Sequence, residues 1–109
     1  MAVSKAAACL FNGFSDPTRM AIIGLLLTDE QRVVDLTQRL GLAQSTVSGH
    51  LACLRDCGLV SSRPVGRSSI YAVSDPGLVT ALFAAAEKLL AATGDAVVLC
   101  PSTGAVATR

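Results

Sequence analysis

The chain has 109 residues, with nine Lys and Arg against eight Asp and Glu, 51% apolar residues, four Cys and one His. That length fits a single domain, and a charged fraction of 16% is too low for a disordered chain. A domain this small buries a limited share of its surface alone, so pairing with a second copy is expected.

The N-terminal segment carries one Lys and lacks a sustained apolar core with a small-residue cleavage site. It does not read as a secretory signal, and a cytoplasmic location with reduced thiols is the expectation. Residues 3 to 14 are Ala-rich with apolar positions at helical spacing, which predicts a first helix. Ser15-Asp16-Pro17 starts a second one, a capping residue followed by Pro at the first helical position, and Met20, Ile22, Ile23, Leu25, Leu26 and Leu27 make it strongly apolar. Thr28 to Gln31 is a polar break. Val33, Val34, Leu36 and Leu40 then suit a short amphipathic helix closed by Gly41, and Gln44 to Arg55 gives another with Val47, Leu51 and Leu54 inward.

After Gly58 the period changes. Leu59 to Arg63 and Ser69 to Val73 are β-compatible runs joined by Pro64-Val65-Gly66-Arg67-Ser68, a hairpin with a basic tip. Asp75-Pro76 opens a last helix that runs to about Ala92 and ends at Thr93-Gly94. Its longest apolar stretch, Leu78 to Ala92, is interrupted by Glu87 and Lys88, so no membrane-spanning helix and no membrane partner are expected. The tail from Asp95 to Arg109 is weakly patterned. Residues 1–92 thus form one domain and 93–109 a flexible tail. The order of elements, mainly α with a β-hairpin, is that of a winged helix-turn-helix: about five helices and a two-stranded wing.

Helix-turn-helix geometry needs buried residues where two short helices cross, and Leu36, Leu40, Leu42, Val47 and Leu51 fill those places around Gly41. The start of the second helix then exposes Gln44, Ser45, Thr46, Ser48 and His50, short donors and acceptors suited to base edges and phosphates in a major groove. Arg63 and Arg67 on the wing suit backbone or minor-groove contact. Charge agrees: residues 32 to 73 carry a local +3 and the remainder −2, so a near-neutral chain conceals a basic middle. Double-stranded DNA is the indicated partner.

Phe14-Ser15-Asp16-Pro17-Thr18-Arg19, the segment Ser45-Thr46-Val47-Ser48-Gly49-His50-Leu51, and Gly58-Leu59-Val60 followed by Gly66-Arg67 resemble the ArsR/SmtB repressors. The resemblance spans residues 14 to 73, and 92 with the flanking helices. It implies a homodimer packed through its first and last helices, seated on a palindromic operator and released by a metal ion or metalloid.

The family's zinc or nickel site on the last helix needs Asp and His pairs, and residues 75 to 92 contain no His, so that site is absent. Cys53 and Cys57 are spaced i, i+4, on one helix face with Cβ atoms about 6 Å apart, close enough for both sulfurs to reach one ion. Cys53-Leu54-Arg55-Asp56-Cys57 resembles the CmtR-type cadmium and lead sensors of the family, which complete the site with a third cysteine from the tail of the other protomer. Cys100 matches that place. Cys9 matches no ligand there and reads as a buried thiol, with a role as fourth thiolate left open. Three thiolates without imidazole or carboxylate select soft ions, so cadmium or lead is the expected effector, with arsenite or zinc as alternatives. A thiol-redox response through Cys53–Cys57 or Cys57–Cys100 is the other alternative. An enzyme is not expected: Cys57 and His50 stand two turns apart, roughly 10 Å, with no orienting third group.

Overall fold

Ser4 begins the described chain and caps its first helix, its hydroxyl accepting from the Ala7 N–H at 3.1 Å. The structure, a computed structural model, describes residues 4–98, with the side chains of 4–94. Helix α1 (Lys5–Gly13) is followed by α2 (Pro17–Thr28), whose cap is Asp16: Oδ2 accepts from the Arg19 N–H at 3.0 Å, with Pro17 at the first turn. Next come strand β1 (Gln31–Arg32), helices α3 (Val33–Leu40) and α4 (Gln44–Asp56), strands β2 (Val60–Val65) and β3 (Ser68–Val73), and helix α5 (Pro76–Val98). The chain divides into two units, Met1–Pro76 and Gly77–Arg109.

In the first unit, α2 presents Ile22, Ile23 and Leu26, α3 presents Leu36, and α4 presents Val47, Leu51 and Leu54 to one core, closed by Leu59, Val60 and Val73. The α4 positions fall at i, i+4 and i+7, one stripe of a helix, and all three are fully buried. Between α3 and α4 the chain reverses at Gly41, whose φ of 67° is left-handed backbone that a residue with a Cβ adopts only under strain. The close approach of α1 depends on a second glycine. A Cβ at Gly13 would stand 2.7 Å from Leu59 Cδ1 and 3.8 Å from Cys57 Cβ, so its absence lets α1 lie against the end of α4.

The sheet has three antiparallel strands in the order β1-β3-β2, one more than the expected two-stranded wing. The addition is β1, with Gln31 opposite Tyr71 and Arg32 opposite Ile70. Its two polar residues carry no strand signal of their own; the ladder is lent by β3, and Gln31 anchors it by burying its side chain and donating Nε2 to the Leu25 carbonyl at 3.0 Å. The wing itself is longer than expected, pairing Val60 with Val73 through to Val65 with Ser68. Its loop is therefore only Gly66-Arg67. Pro64 is tolerated because β2 is an edge strand.

In the second unit, α5 is helical through Ala92 and leaves helical geometry at Thr93 (φ −123°, ψ 23°), where a stop was expected, then resumes to Val98. By length and composition Pro76–Gly94 is long and apolar enough to cross a membrane, which corrects the exclusion drawn from Glu87 and Lys88: two charges in 19 residues interrupt the run without making it polar. Cys100 and the rest of the tail lie outside the described residues.

Because Leu51 is fully buried among α2, α3 and α4 side chains, Leu51→Ala is expected to lower unfolding free energy by about 2–5 kcal/mol. Urea denaturation followed by circular dichroism measures it, and a loss well under about 1 kcal/mol would show that α4 is not held by this stripe.

Candidate functional site

Burial of Val47, Leu51 and Leu54 fixes how α4 is rotated, and so what its other faces present. Gln44, Ser45, Thr46 and Ser48 are exposed, on the first turn and a half. Ala43, at the N-cap, has no side-chain acceptor, so this helix end lacks a side-chain cap. Arg67 sits in the wing turn, exposed; Arg63 is on β2 and donates Nη2 to Glu30 Oε1 at 2.5 Å. Arg63 is thus engaged within the chain, whereas Arg67 stands beside Gln44 in a cleft that also includes Arg32.

His50 is placed differently from the exposed row. It is half-buried on the flank of α4 that faces the corner between α1 and α2. Arg19 Nη1 lies 3.4 Å from His50 Nδ1, and Nε2 lies 3.9 Å from Asp16 Oδ2. Arg19 itself is held by three further bonds, from Nε to the Gly13 carbonyl (3.2 Å) and from Nη2 to the Asn12 carbonyl (2.8 Å) and the Ser15 hydroxyl (3.3 Å). The Asp16 carboxyl is kept below the usual carboxylate range, first by the Arg19 N–H it accepts; burial opposes this as the next largest effect, and the charges of His50 and Arg19 add to the lowering.

Seven residues beyond His50, two turns on along the same flank, comes Cys57, with Cys53 between them. All three described cysteines meet at this corner as free thiols. Cys57 Sγ is 2.6 Å from Cys9 Sγ and donates to the Cys9 carbonyl at 2.9 Å; Asn12 Nδ2 donates to Cys53 Sγ at 3.9 Å. Cys9, read from sequence as a bystander, is therefore a direct neighbour of the α4 thiols. Sequence spacing could not reveal it, because the two residues are brought together only by α1 packing on α4 across Gly13. The small residues Ala6, Ala7, Ala8 and Gly13 were the one available hint that α1 packs closely.

The Cys57 thiol is pushed up to about 12, first by its hydrogen bond with Cys9, then by burial and by the neighbouring Cys9 and Cys53 thiols. Among the described residues no group of three or more His, Cys, Asp or Glu side chains is arranged to hold a metal ion. The donor chemistry at the corner nevertheless fits a soft ion: sulfur from two helices.

A recognition helix with an exposed polar start, a preceding helix across a left-handed glycine turn and a basic wing define a winged helix-turn-helix DNA-binding protein. Residues 16–62 match the family described as "Bacterial regulatory protein, arsR family". The chain is 41% identical over 91 residues to the HTH-type transcriptional regulator CmtR of Mycobacterium tuberculosis, covering 84% of this chain and 77% of that one. It is 36% identical over 93 residues to a probable mercury resistance operon repressor of Streptomyces lividans, covering 85% and 73%. In fold it is similar to a homodimeric winged helix-turn-helix DNA-binding domain from Mycobacterium bovis, with a TM-score of 0.72 at 24% identity over 78% of this chain and 82% of that one. The chain belongs to the arsR family and is a DNA-binding transcription regulator, not an enzyme.

A raised thiol pKa favours the neutral form, so its contribution to stability is complete below pH about 9 and is lost as pH rises toward 12. In the reduced, metal-free protein, alkylation of Cys57 by iodoacetamide, quantified by peptide mass spectrometry, is expected to stay slow through pH 9 and accelerate only well above it. Half-maximal reactivity near pH 8.5 would contradict the thiol contact with Cys9.

Proposed function

We propose that the chain is a repressor that holds operator DNA as a homodimer and releases it when a soft thiophilic ion, cadmium or lead, binds its thiolates. The ligands in this reading are Cys53 and Cys57 with the partner's Cys100 as the third. One observation carries it: the cysteines stand on the flank of the DNA-reading helix that is docked on α1, so a ligand there acts on the mount of that helix. The sulfur donors suit the soft cations, and the relatives include a regulator named for mercury resistance. Ser45, Thr46 and Ser48 supply base-edge and phosphate contacts, with Gln44 and Arg67 flanking them; Arg63 and His50 do so only by leaving Glu30 and the Asp16–Arg19 pair. The homodimer covers exposed apolar side chains such as Phe11 on α1 and Leu89 and Leu90 on α5. A regulator of this kind works in the cytoplasm, and its operator is palindromic because the dimer is two-fold symmetric.

A bound ion supplies a link between thiolates on separate elements. Everything else belongs to the chain. Each ligating thiol must lose a proton, and Cys57, at about 12 while it is bonded to Cys9, resists doing so. Ion affinity therefore rises with pH. Ligation at Cys57 also requires it to give up the hydrogen bonds to Cys9, which loosens α1 from the end of α4. Release follows only if the ion binds the DNA-free form more tightly than the DNA-bound form.

The contact between Cys9 and Cys57 favours one second reading, a redox response. A hydroperoxide would oxidise the two thiols to a Cys9–Cys57 disulfide, forming one S–S bond, breaking the O–O bond and yielding water and an alcohol (two waters for hydrogen peroxide).

Binding is measured by fluorescence anisotropy on a duplex selected by the protein from a random-sequence library. Cadmium is expected to weaken it by about 150-fold, the coupling of about 3 kcal/mol at the upper end for two-site switches. Cys53→Ser, Cys57→Ser and Cys100→Ser are each expected to bind the duplex normally without metal and to lose the cadmium response. A parental response in Cys53→Ser and Cys57→Ser contradicts the metal reading. Release by hydrogen peroxide without metal, with a disulfide-linked peptide joining Cys9 and Cys57, would establish the redox reading in its place.

A further inference from the structure

A second feature of the reading face lies away from the thiols. A cleft of about 220 Å³ opens between the starts of α3 and α4 and the wing, lined by Arg32, Val33, Val34, Gln44, Arg67, Ser68 and Ser69. It is smaller than the 300 Å³ or so at which small-molecule pockets begin, and its polar lining is unlike theirs. Two guanidiniums, from β1 and the wing turn, supply charge. The side-chain amide of Gln44 and the hydroxyls of Ser68 and Ser69 supply donors.

The helix ends beside it are built to match. Ser4 and Asp16 cap α1 and α2 with side-chain oxygens, but the N-cap residue of α3 is Arg32, whose side chain has no acceptor, and that of α4 is Ala43. Neither first turn is capped by the side chain of its N-cap residue, and each carries the positive end of a helix dipole, offset at α3 by Asp35 in that turn. Asp35 accepts the Arg32 backbone N–H at 3.4 Å and lies 3.7 Å from the Arg32 Nε, which steadies that guanidinium.

We propose that this cleft seats one backbone phosphate of the bound duplex, with Arg32 and Arg67 as its cation clamp and Gln44 as a neutral donor. The proposal rests on the DNA-binding reading and adds Arg32, which lies outside both the recognition helix and the wing turn. The seat fixes how deeply α4 enters the groove and reads no base. Arg32 and Arg67 should therefore contribute equally on every sequence.

The test uses the full chain with two probes, the duplex selected by the wild-type protein and a mixed-sequence duplex of equal length. Affinity is measured from 50 to 300 mM salt. Each phosphate contact contributes about 0.9 to the slope of log affinity against log salt. Arg32→Ala and Arg67→Ala are expected to reduce that slope by about 1 per protomer on both probes, leaving the ratio between them within about twofold. Arg32→Lys, which keeps the charge, is expected to retain the slope. Arg67→Ala lies in an exposed turn and carries no folding risk, so it decides the matter if Arg32→Ala loosens the start of α3. An unchanged slope in Arg67→Ala, a loss confined to the selected duplex, or a loss of slope in Arg32→Lys overturns the seat while the DNA-binding reading stands. A wild-type protein that binds neither probe overturns both.

Discussion

The burial of one stripe of α4 governs the rest of the molecule. Val47, Leu51 and Leu54 are fully excluded from solvent, and a helix pinned along one stripe has no rotational freedom left. Its opposite surface must then carry the exposed Gln44, Ser45, Thr46 and Ser48. One flank must carry His50, Cys53 and Cys57, because these fall two turns apart on the same side. That flank docks on the α1–α2 corner through three separate chemistries: the Cys9–Cys57 thiol contact, the long Asn12–Cys53 bond and the Arg19–His50–Asp16 cluster. The face for DNA and the thiol site are thus two sides of one rigid element.

This arrangement gives the proposed effector site a physical route to DNA affinity. Coupling needs an element with two arrangements that both ligands bias, and α4 touches both. Neutral thiols hold α1 against its end in the ligand-free form. Deprotonation and ligation at Cys57 remove the hydrogen bonds that make that contact. In this proposal the wing-side cleft acts on the opposite end of the same helix, where Gln44 begins it, so the two ends of α4 would carry the switch and the anchor respectively.

Most of this frame is legible in sequence because it is periodic. The i, i+4, i+7 stripe of α4, the apolar run of α2, the Asp16-Pro17 start and Gly41 each carry a local physical reason for their place, and the hairpin follows from two β-compatible runs after Gly58 with a Pro- and Gly-containing turn between them. What escapes is what only tertiary contact creates. Gln31 and Arg32 are polar and read as a break, yet pair with β3 because a neighbouring strand offers its ladder. His50 looks like part of the exposed row until the side chains of Asp16 and Arg19, more than thirty residues earlier, are brought to it. Cys9 is invisible as a site residue for the same reason: its partner is 48 positions away, and the glycine that permits the contact, Gly13, leaves no mark in hydrophobic pattern. The reach of α5 past Thr93 likewise follows from a helix resuming after one non-helical residue, which no stop signal announces.

The central claim is that the thiol site and the DNA face are coupled through α4, and linkage makes that claim reciprocal. Isothermal titration of cadmium into the free protein, and into the same protein saturated with its selected duplex, measures the coupling from the metal side. The account predicts weaker cadmium binding in the presence of DNA, by the same factor as cadmium weakens DNA binding. Equal cadmium affinity in the two states would contradict it, however tightly the ion were held.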